Sequence, residues 1–147
     1  MTPSHWPPSQ EPLRQVQQIE ALGLISTAAG VCVRASIVDR LLVAQTLVPR
    51  ALRLLVVAGH DPSAPIDPCP RSAAHATGAA VDLTAHLDGC SEPAPWSVLP
   101  PADWPLLETA LTAVGMVNTS VWWHWSFGDR DWQIHTGANA SLYGPLG

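Results

Sequence analysis

Apolar residues follow a helical spacing in two parts of the chain, and capping residues indicate a third helix. The clearest apolar stripe runs over residues 35–47 and predicts a helix that ends before Pro49. A weaker stripe, with an apolar residue at every third position, predicts a helix over Leu13–Leu22. Asp103 is the expected N-cap of a third helix, which begins with a Trp-Pro pair and extends to about Val114.

Short aliphatic or alternating runs, bounded by Gly, Pro or Asp residues, predict four strands. The predicted strands span Leu52–Ala58, Gly78–Thr84, Val121–Phe127 and Trp132–His135. Together with the three helices, they predict an α+β fold with a small, mostly antiparallel sheet and packed helices.

Proline-rich segments help to define the domain organisation. Residues 1–12 contain four prolines and no apolar periodicity, so we expect an extended N-terminal arm. Residues 13–147 show no internal repeats, and their length fits a single domain. Residues 61–73 hold four further prolines and predict a loop of the kind that often carries function.

Composition and charge narrow the classes of function. Charged residues make up only 13% of the 147-residue chain and apolar residues 47%, which argues against a disordered protein. The net charge of −5 argues against a nucleic-acid-binding protein. All seven basic residues are arginine, which excludes a P-loop and Schiff-base lysine chemistry.

No segment of the sequence predicts export or membrane insertion. The first twelve residues lack the basic and apolar regions of a signal peptide, and Pro49 interrupts the most apolar stretch, Leu41–Gly59. We therefore expect a soluble, cytoplasmic protein without a membrane partner. Cys69 and Cys90 either pair with each other or, as the default without an export signal, remain free thiols.

Two segments carry residues with metal-binding chemistry. His75 precedes the second predicted strand, Asp82 lies within it, and His124 lies among three tryptophans. Two histidines and one carboxylate are a common ligand set of catalytic zinc, which keeps a fourth position open. Taken singly, each residue has a structural alternative, a core histidine bonded to backbone or an acid at a strand end or turn. Together they predict a metal site, because such groups need partners in an apolar setting.

These segments resemble the zinc D-alanyl-D-alanine dipeptidases of the vancomycin-resistance type. The stretch HATGAAVDLT at 75–84 is similar to the family signature H-x-x-G-x-A-x-D, and WWHWSFGDRDW at 122–132 is similar to its closing segment. The resemblance covers about residues 31–145 in order. It implies the α+β fold of the dipeptidases and zinc as the cofactor, with His75, Asp82 and His124 as the ligands.

The chain departs from this family at the residues that assist catalysis. Val121 stands where the family has the glutamate that acts as general base and acid, and Asp61 stands where it has a substrate-binding arginine. Asp61 is our candidate catalytic residue; its alternative is a solvated Asp-Pro turn. His60 and Trp122 are the candidate substrate-binding residues, since strand alternation places Trp122 on the same face as His124.

Three functions follow as expectations. We expect first a zinc enzyme with a dipeptidase-like fold and diverged chemistry, a cyclase, lyase or hydrolase acting on a small, amine-bearing metabolite. The second is a D-Ala-D-Ala dipeptidase or amidase with a substitute base. The third is a catalytically inactive zinc-binding homologue. Three ligands with an open position favour an enzyme, since structural zinc sites usually close with four.

Overall fold

The computed structural model describes residues 11–16, 25–26, 31–61, 75, 77–87, 102–118 and 121–143. Six strands and three helices occur within these residues. Their order is β1 (Leu13–Gln15), β2 (Ile25–Ser26), β3 (Cys32–Arg34), α1 (Ala35–Thr46), β4 (Leu52–Ala58), β5 (Ala80–Leu87), α2 (Trp104–Ala113), β6 (His124–Ser126) and α3 (Arg130–Thr136).

The strands form two sheets. The larger sheet has the order β2-β4-β5-β6, and its β4-β5 and β5-β6 pairs are antiparallel, whereas β2 runs parallel to β4. Strands β1 and β3 form a separate antiparallel pair. The prediction of an α+β fold with mostly antiparallel strands is therefore confirmed.

The hydrophobic core lies where α1 and α2 pack on one face of the larger sheet. Alternate residues of β5, Val81 and Leu83, belong to this core. Asp82 and Thr84 therefore point to the opposite face of the sheet, because side chains alternate along a strand. The core also contains large side chains that are at most 2% exposed, namely Ile37, Leu41, Leu54, Trp104, Leu107 and Leu111.

Periodicity located the long elements correctly. Helix α1 and strand β4 lie where the apolar spacing predicts them. Helix α2 begins after Asp103 as expected, although the Asp103 side chain forms no capping hydrogen bond. Strand β5 starts two residues later than predicted and runs on to Leu87.

Two predicted elements are wrong. The predicted helix over 13–22 begins as a strand, because residues 13–15 pair with β3; residues 17–22 lie outside the described part. The predicted strand over 132–135 is helix α3. The Asp129 side chain accepts a hydrogen bond from Trp132 N (2.9 Å) and caps this helix, and Gly137 ends it with a φ of 74°.

Several expectations fall on residues that the structure does not describe. They include the N-terminal arm as far as residue 10, residues 62–73 of the proline-rich loop, and both Cys69 and Cys90. No helix in the described ranges combines the length and the apolar character that crossing a membrane requires.

Candidate metal centre

Three side chains with metal-ligating atoms meet beside strands β5 and β6. Asp82 Oδ1 lies 3.1 Å from His75 Nε2 and 3.1 Å from His124 Nδ1. All three ligand atoms lie within 4.8 Å of one another. Ligand atoms around a tetrahedral zinc ion are roughly 3.3 Å apart, given zinc–ligand distances of about 2.0–2.2 Å. The spacing therefore fits one metal ion.

The strand register brings two of these residues together. Asp82 is directly opposite His124 in the antiparallel β5-β6 ladder, so both side chains project from the same face. On its other side Asp82 is opposite Ala58, where the β4-β5 register shifts between Val56 and Ala58. Bulges of this kind often occur beside functional sites because they redirect side chains.

The turn that precedes β5 positions the third residue. The His75 carbonyl accepts hydrogen bonds from Gly78 N (3.3 Å) and Asp61 N (3.1 Å). Gly78 has a φ of 72°, a backbone conformation that favours glycine, and a Cβ there would lie 2.7 Å from Leu13 Cδ2 and displace the end of that side chain. Arg34 N donates to the Gly78 carbonyl (2.8 Å) and holds the turn against β3.

A backbone hydrogen bond orients the imidazole of His75. Its Nδ1 lies 2.7 Å from the Gly59 carbonyl oxygen, which can only accept, so Nδ1 carries the hydrogen. In the neutral ring, Nε2 then presents its lone pair toward Asp82 and His124. Metal-bound histidines are typically fixed in this way by an outer hydrogen bond. The orientation of His75 therefore fits a metal ligand.

Electrostatics couple the three groups tightly. Burial favours the neutral form of Asp82, but hydrogen bonds and charge from His124 and His75 outweigh it and lower the Asp82 pKa to about 2. Burial likewise opposes protonation of His75, yet the hydrogen bond and charge of Asp82 outweigh it and raise the His75 pKa. Asp82 therefore stays ionised, and a proton on His75 competes with any metal ion.

These shifts predict different pH dependences for the metal-free and the zinc-saturated protein. The raised His75 pKa contributes stability that is complete below its ordinary value of 6.5 and is lost as pH rises through the folded-state pKa. The lowered Asp82 pKa contributes stability above 3.8, which is lost as pH falls toward about 2. Zinc displaces the proton, so its stabilising effect grows with pH.

Thermal melts at several pH values check this prediction. From about pH 5.5 to about pH 8, we expect the Tm of the metal-free protein to fall and the margin between zinc-saturated and metal-free protein to widen. A metal-free Tm that rises over this interval, or a margin that stays constant, would contradict the assigned protonation of the site.

His124 and Asp129, five positions apart in the sequence, are both buried. Each has one polar atom that forms no hydrogen bond with a described residue. His124 is fully buried, and within the described part of the chain its Nε2 has no hydrogen-bond partner. Asp129 is 1% exposed. Its Oδ1 accepts from Ser126 Oγ (3.0 Å) and Trp132 N, whereas no described residue forms a hydrogen bond with its Oδ2. Burial raises the Asp129 pKa.

Two other predicted site residues, His60 and Asp61, follow strand β4. Asp61 is exposed, and its charge contributes to the raised pKa of His75, which places its carboxylate within electrostatic range. His60 is half-buried, and its backbone N–H donates to the Cys32 carbonyl (2.7 Å). Their roles in catalysis and substrate binding stay predictions.

Trp122 does not lie in a strand, so the alternation argument for its position is wrong. Residues 121–123 form a turn before the short strand β6, in which His124 N donates to the Val121 carbonyl (3.1 Å). The half-buried Trp122 ring packs edge-on against Trp104, with centroids 4.9 Å apart. Its place in a substrate pocket stays a prediction.

Sequence reasoning missed the role of Gly59 and the burial of Asp129. Gly59 supplies the carbonyl that orients His75, and only the tertiary fold brings these residues together. Asp129 is buried and forms no ion pair with a described residue, while the neighbouring Arg130 is exposed. The spacing from Asp129 to Trp132 carries an N-cap signal that could have revealed the helix.

Comparisons with known proteins found no matching protein-family model and no matching curated protein. What the structure provides is a His–Asp–His group that can hold a metal ion, assembled from two segments distant in the sequence.

Proposed function

We propose that the chain is a zinc-dependent enzyme related to the D-alanyl-D-alanine dipeptidases, with a diverged reaction on a small, amine-bearing molecule. The observation that carries this proposal is the convergence of His75, Asp82 and His124 on one point. Support comes from the two segments that supply these residues, since they are the ones in which the chain resembles that family. The hydrogen bond from His75 to the Gly59 carbonyl adds support, because it fixes the ring as a ligand.

The donor set suits zinc. Two imidazole nitrogens and one carboxylate oxygen are a known catalytic zinc set, in which the fourth position stays open for the reaction. A zinc ion held by these residues would supply Lewis acidity toward a substrate oxygen. The complete burial of His124 would lower the local dielectric and strengthen electrostatic interactions at the centre.

The residues around the site favour a reaction other than peptide hydrolysis. Position 121 is valine, and the sequence has no Asp or Glu from Thr109 to Gly128; Glu108, on α2, is exposed. Loss of a general base costs about 10²–10⁴-fold in rate. Loss of an oxyanion-stabilising group, as when Asp61 replaces arginine, costs about a further 10²–10³-fold. A substrate with a good leaving group tolerates both losses better than an amide does.

Asp61 favours an amine-bearing substrate. Its carboxylate is exposed and close enough to influence the pKa of His75. A negative charge there repels a substrate carboxylate and attracts an ammonium group. We assign Asp61 the role of binding this ammonium group or accepting its proton, with His60 beside it.

Ester probes test the proposal. Zinc-loaded protein should cleave alanine p-nitrophenyl ester with a lower KM than p-nitrophenyl acetate, because the first probe carries an ammonium group and both have a leaving group that needs no protonation. Asp61→Asn should raise the KM for the alanine ester only. Asp39→Asn, which neutralises an exposed carboxylate on α1, is the matched control and should behave like the wild-type protein.

The same assay separates the alternatives. His124→Ala serves as the blank and should show no zinc-dependent cleavage. Cleavage of D-Ala-D-Ala by the wild-type protein, strengthened by Val121→Glu, would replace the proposal with a dipeptidase that uses Asp61 as its base. Zinc-loaded protein that cleaves none of the three compounds would overturn the proposal in favour of an inactive zinc-binding homologue.

A further inference from the structure

Asp129 is a buried carboxylate, and its structural contacts account for only one of its two oxygen atoms. Its Oδ1 caps α3 and accepts from Ser126 Oγ, but its Oδ2 is buried and has no hydrogen-bond partner among the described residues. No described residue forms an ion pair with it, and the neighbouring Arg130 side chain is exposed. A buried, uncompensated carboxylate is costly, so the fold retains it for a reason that helix capping alone does not supply.

The carboxylate lies on the ligand-bearing side of strand β6. His124 and Ser126 are two residues apart in this strand and therefore project from the same face. Asp129 is bound to the Ser126 hydroxyl at 3.0 Å, which places it on the same side of β6 as His124. The Nε2 atom of His124 is itself buried, and no described residue forms a hydrogen bond with it. Among the described residues, His124 thus offers an unpaired donor position and Asp129 an unpaired acceptor on this side of β6.

Charge balance gives these two atoms a common explanation. A divalent ion held by Asp82 and two neutral histidines leaves one net positive charge in a largely buried place. With its Nδ1 bound to the ion, His124 would carry its hydrogen on Nε2, the atom that lacks a partner among the described residues. Asp129 would offer both a compensating negative charge and an acceptor for this hydrogen, either of which strengthens metal binding.

We propose that Asp129 is a positioning residue of the metal centre, whose Oδ2 receives the Nε2–H of His124 through one bridging water. The bridge fixes the tautomer that leaves Nδ1 free to bind the ion, and the carboxylate balances the charge of the loaded site. A buried water with two polar partners is an ordinary feature of protein interiors. This inference rests on the proposed zinc site.

Asp129→Asn separates this role from helix capping. An asparagine keeps the capping oxygen, since its amide NH₂ cannot replace Oδ1 opposite the Trp132 N–H, and the NH₂ group therefore takes the position of Oδ2. The variant thus retains the cap and loses both the charge and the acceptor. Asp131→Asn removes a charge from the same helical turn and serves as the matched control.

Zinc affinity and metal-free stability should respond in opposite ways. We expect Asp129→Asn to weaken zinc binding by roughly 10–100-fold in a competition titration with a chromophoric chelator. Its metal-free Tm should stay the same or rise, because a buried charge has been removed. Asp131→Asn should change the zinc affinity by less than about threefold. A role in helix capping alone predicts that Asp129→Asn, which keeps the cap, leaves the zinc affinity unchanged, and this result would overturn the inference.

A second variant and a wild-type measurement keep the test decisive. If Asp129→Asn does not fold, Asp129→Ser retains a capping oxygen and should show the same loss of affinity. In zinc-loaded wild-type protein, the His124 Nε2–H proton should resonate downfield of the other imidazole N–H protons in an NMR spectrum. An unshifted proton overturns the inference. If the wild-type protein binds no zinc, the proposed function fails first; if it binds zinc and the Asp129 variants bind equally well, only this inference fails.

Discussion

Replacing Asp82 with asparagine is expected to weaken zinc binding by more than the roughly 10–100-fold that loss of an outer hydrogen-bond partner costs. Asp82 Oδ1 lies 3.1 Å from both histidine ligand atoms, and the carboxylate is the only negative charge of the triad. Asparagine preserves the size of the side chain but offers a neutral oxygen or a hydrogen-bond donor in place of the carboxylate. The variant therefore removes a ligand without changing the volume of the site.

The measurement is a zinc titration against a chromophoric chelator at about pH 7.5, above the ordinary pKa of histidine. Asp39→Asn is again the control, because it changes the net charge by the same amount at an exposed position of α1. We expect the control to bind zinc like the wild-type protein. Equal zinc affinities for the Asp82 and Asp39 variants would remove Asp82 from the ligand set.

Replacing Arg34 with methionine is expected to lower the free energy of unfolding by about 3 kcal/mol. Arg34 is fully buried, and its Nε donates to the Thr77 carbonyl at 2.7 Å. Its Nη1 donates to the Glu11 carbonyl at 2.9 Å, and its guanidinium lies 5.0 Å from the centre of the Tyr143 ring. A methionine fills similar space but leaves the Thr77 carbonyl buried without this donor.

The effect should extend from stability to the metal centre. The turn that Arg34 holds, at Thr77 and Gly78, leads from His75 into β5. A looser turn places His75 less accurately, so zinc affinity should fall by a smaller factor than in the Asp82 variant. The main effect of Arg34→Met should be on stability. We expect its Tm to fall by roughly 10 °C for a domain of this size.

Arg14→Met provides the matched control for this variant. Arg14 lies in β1, the strand that pairs with the Arg34-bearing strand β3, but its side chain is exposed. We expect its Tm to stay within about 2 °C of the wild-type value, since exposed substitutions change stability by about 0.5 kcal/mol or less. A Tm for Arg34→Met that matches the Arg14 control would show that the buried guanidinium contributes little.

The sequence predicted those parts of the structure that local patterns specify. Helix α1 and strand β4 have clear apolar periods of their own, and the structure confirms them. Helix α3 was predicted as a strand because its seven residues are too few to show a helical period. Its capping by Asp129 and its glycine end decide its conformation. Strand β1 was predicted as a helix because its pairing with β3 is a long-range contact that spacing does not reveal.

The residue types of the candidate site were likewise predictable from the sequence, whereas their geometry was not. His75 and Asp82 are close in sequence, and His124 stands out among tryptophans, so residue types alone suggested a shared metal. Their geometry depends on the β5-β6 register and on the Gly59 carbonyl, which no short motif encodes. Asp129 was missed as a buried group because a Gly-Asp-Arg sequence has the composition of an exposed turn.

X-ray absorption spectroscopy of the zinc-loaded protein tests the metal centre most directly. We predict one zinc ion per chain that survives gel filtration, with two imidazole nitrogens and at least one oxygen at about 2.0–2.2 Å. His124→Ala, loaded with zinc and passed through gel filtration in the same way, should retain no stoichiometric zinc. A sulfur ligand at about 2.3 Å would assign the metal to a cysteine instead. Such a ligand, or wild-type protein that loses its zinc during gel filtration, would contradict a site built from His75, Asp82 and His124.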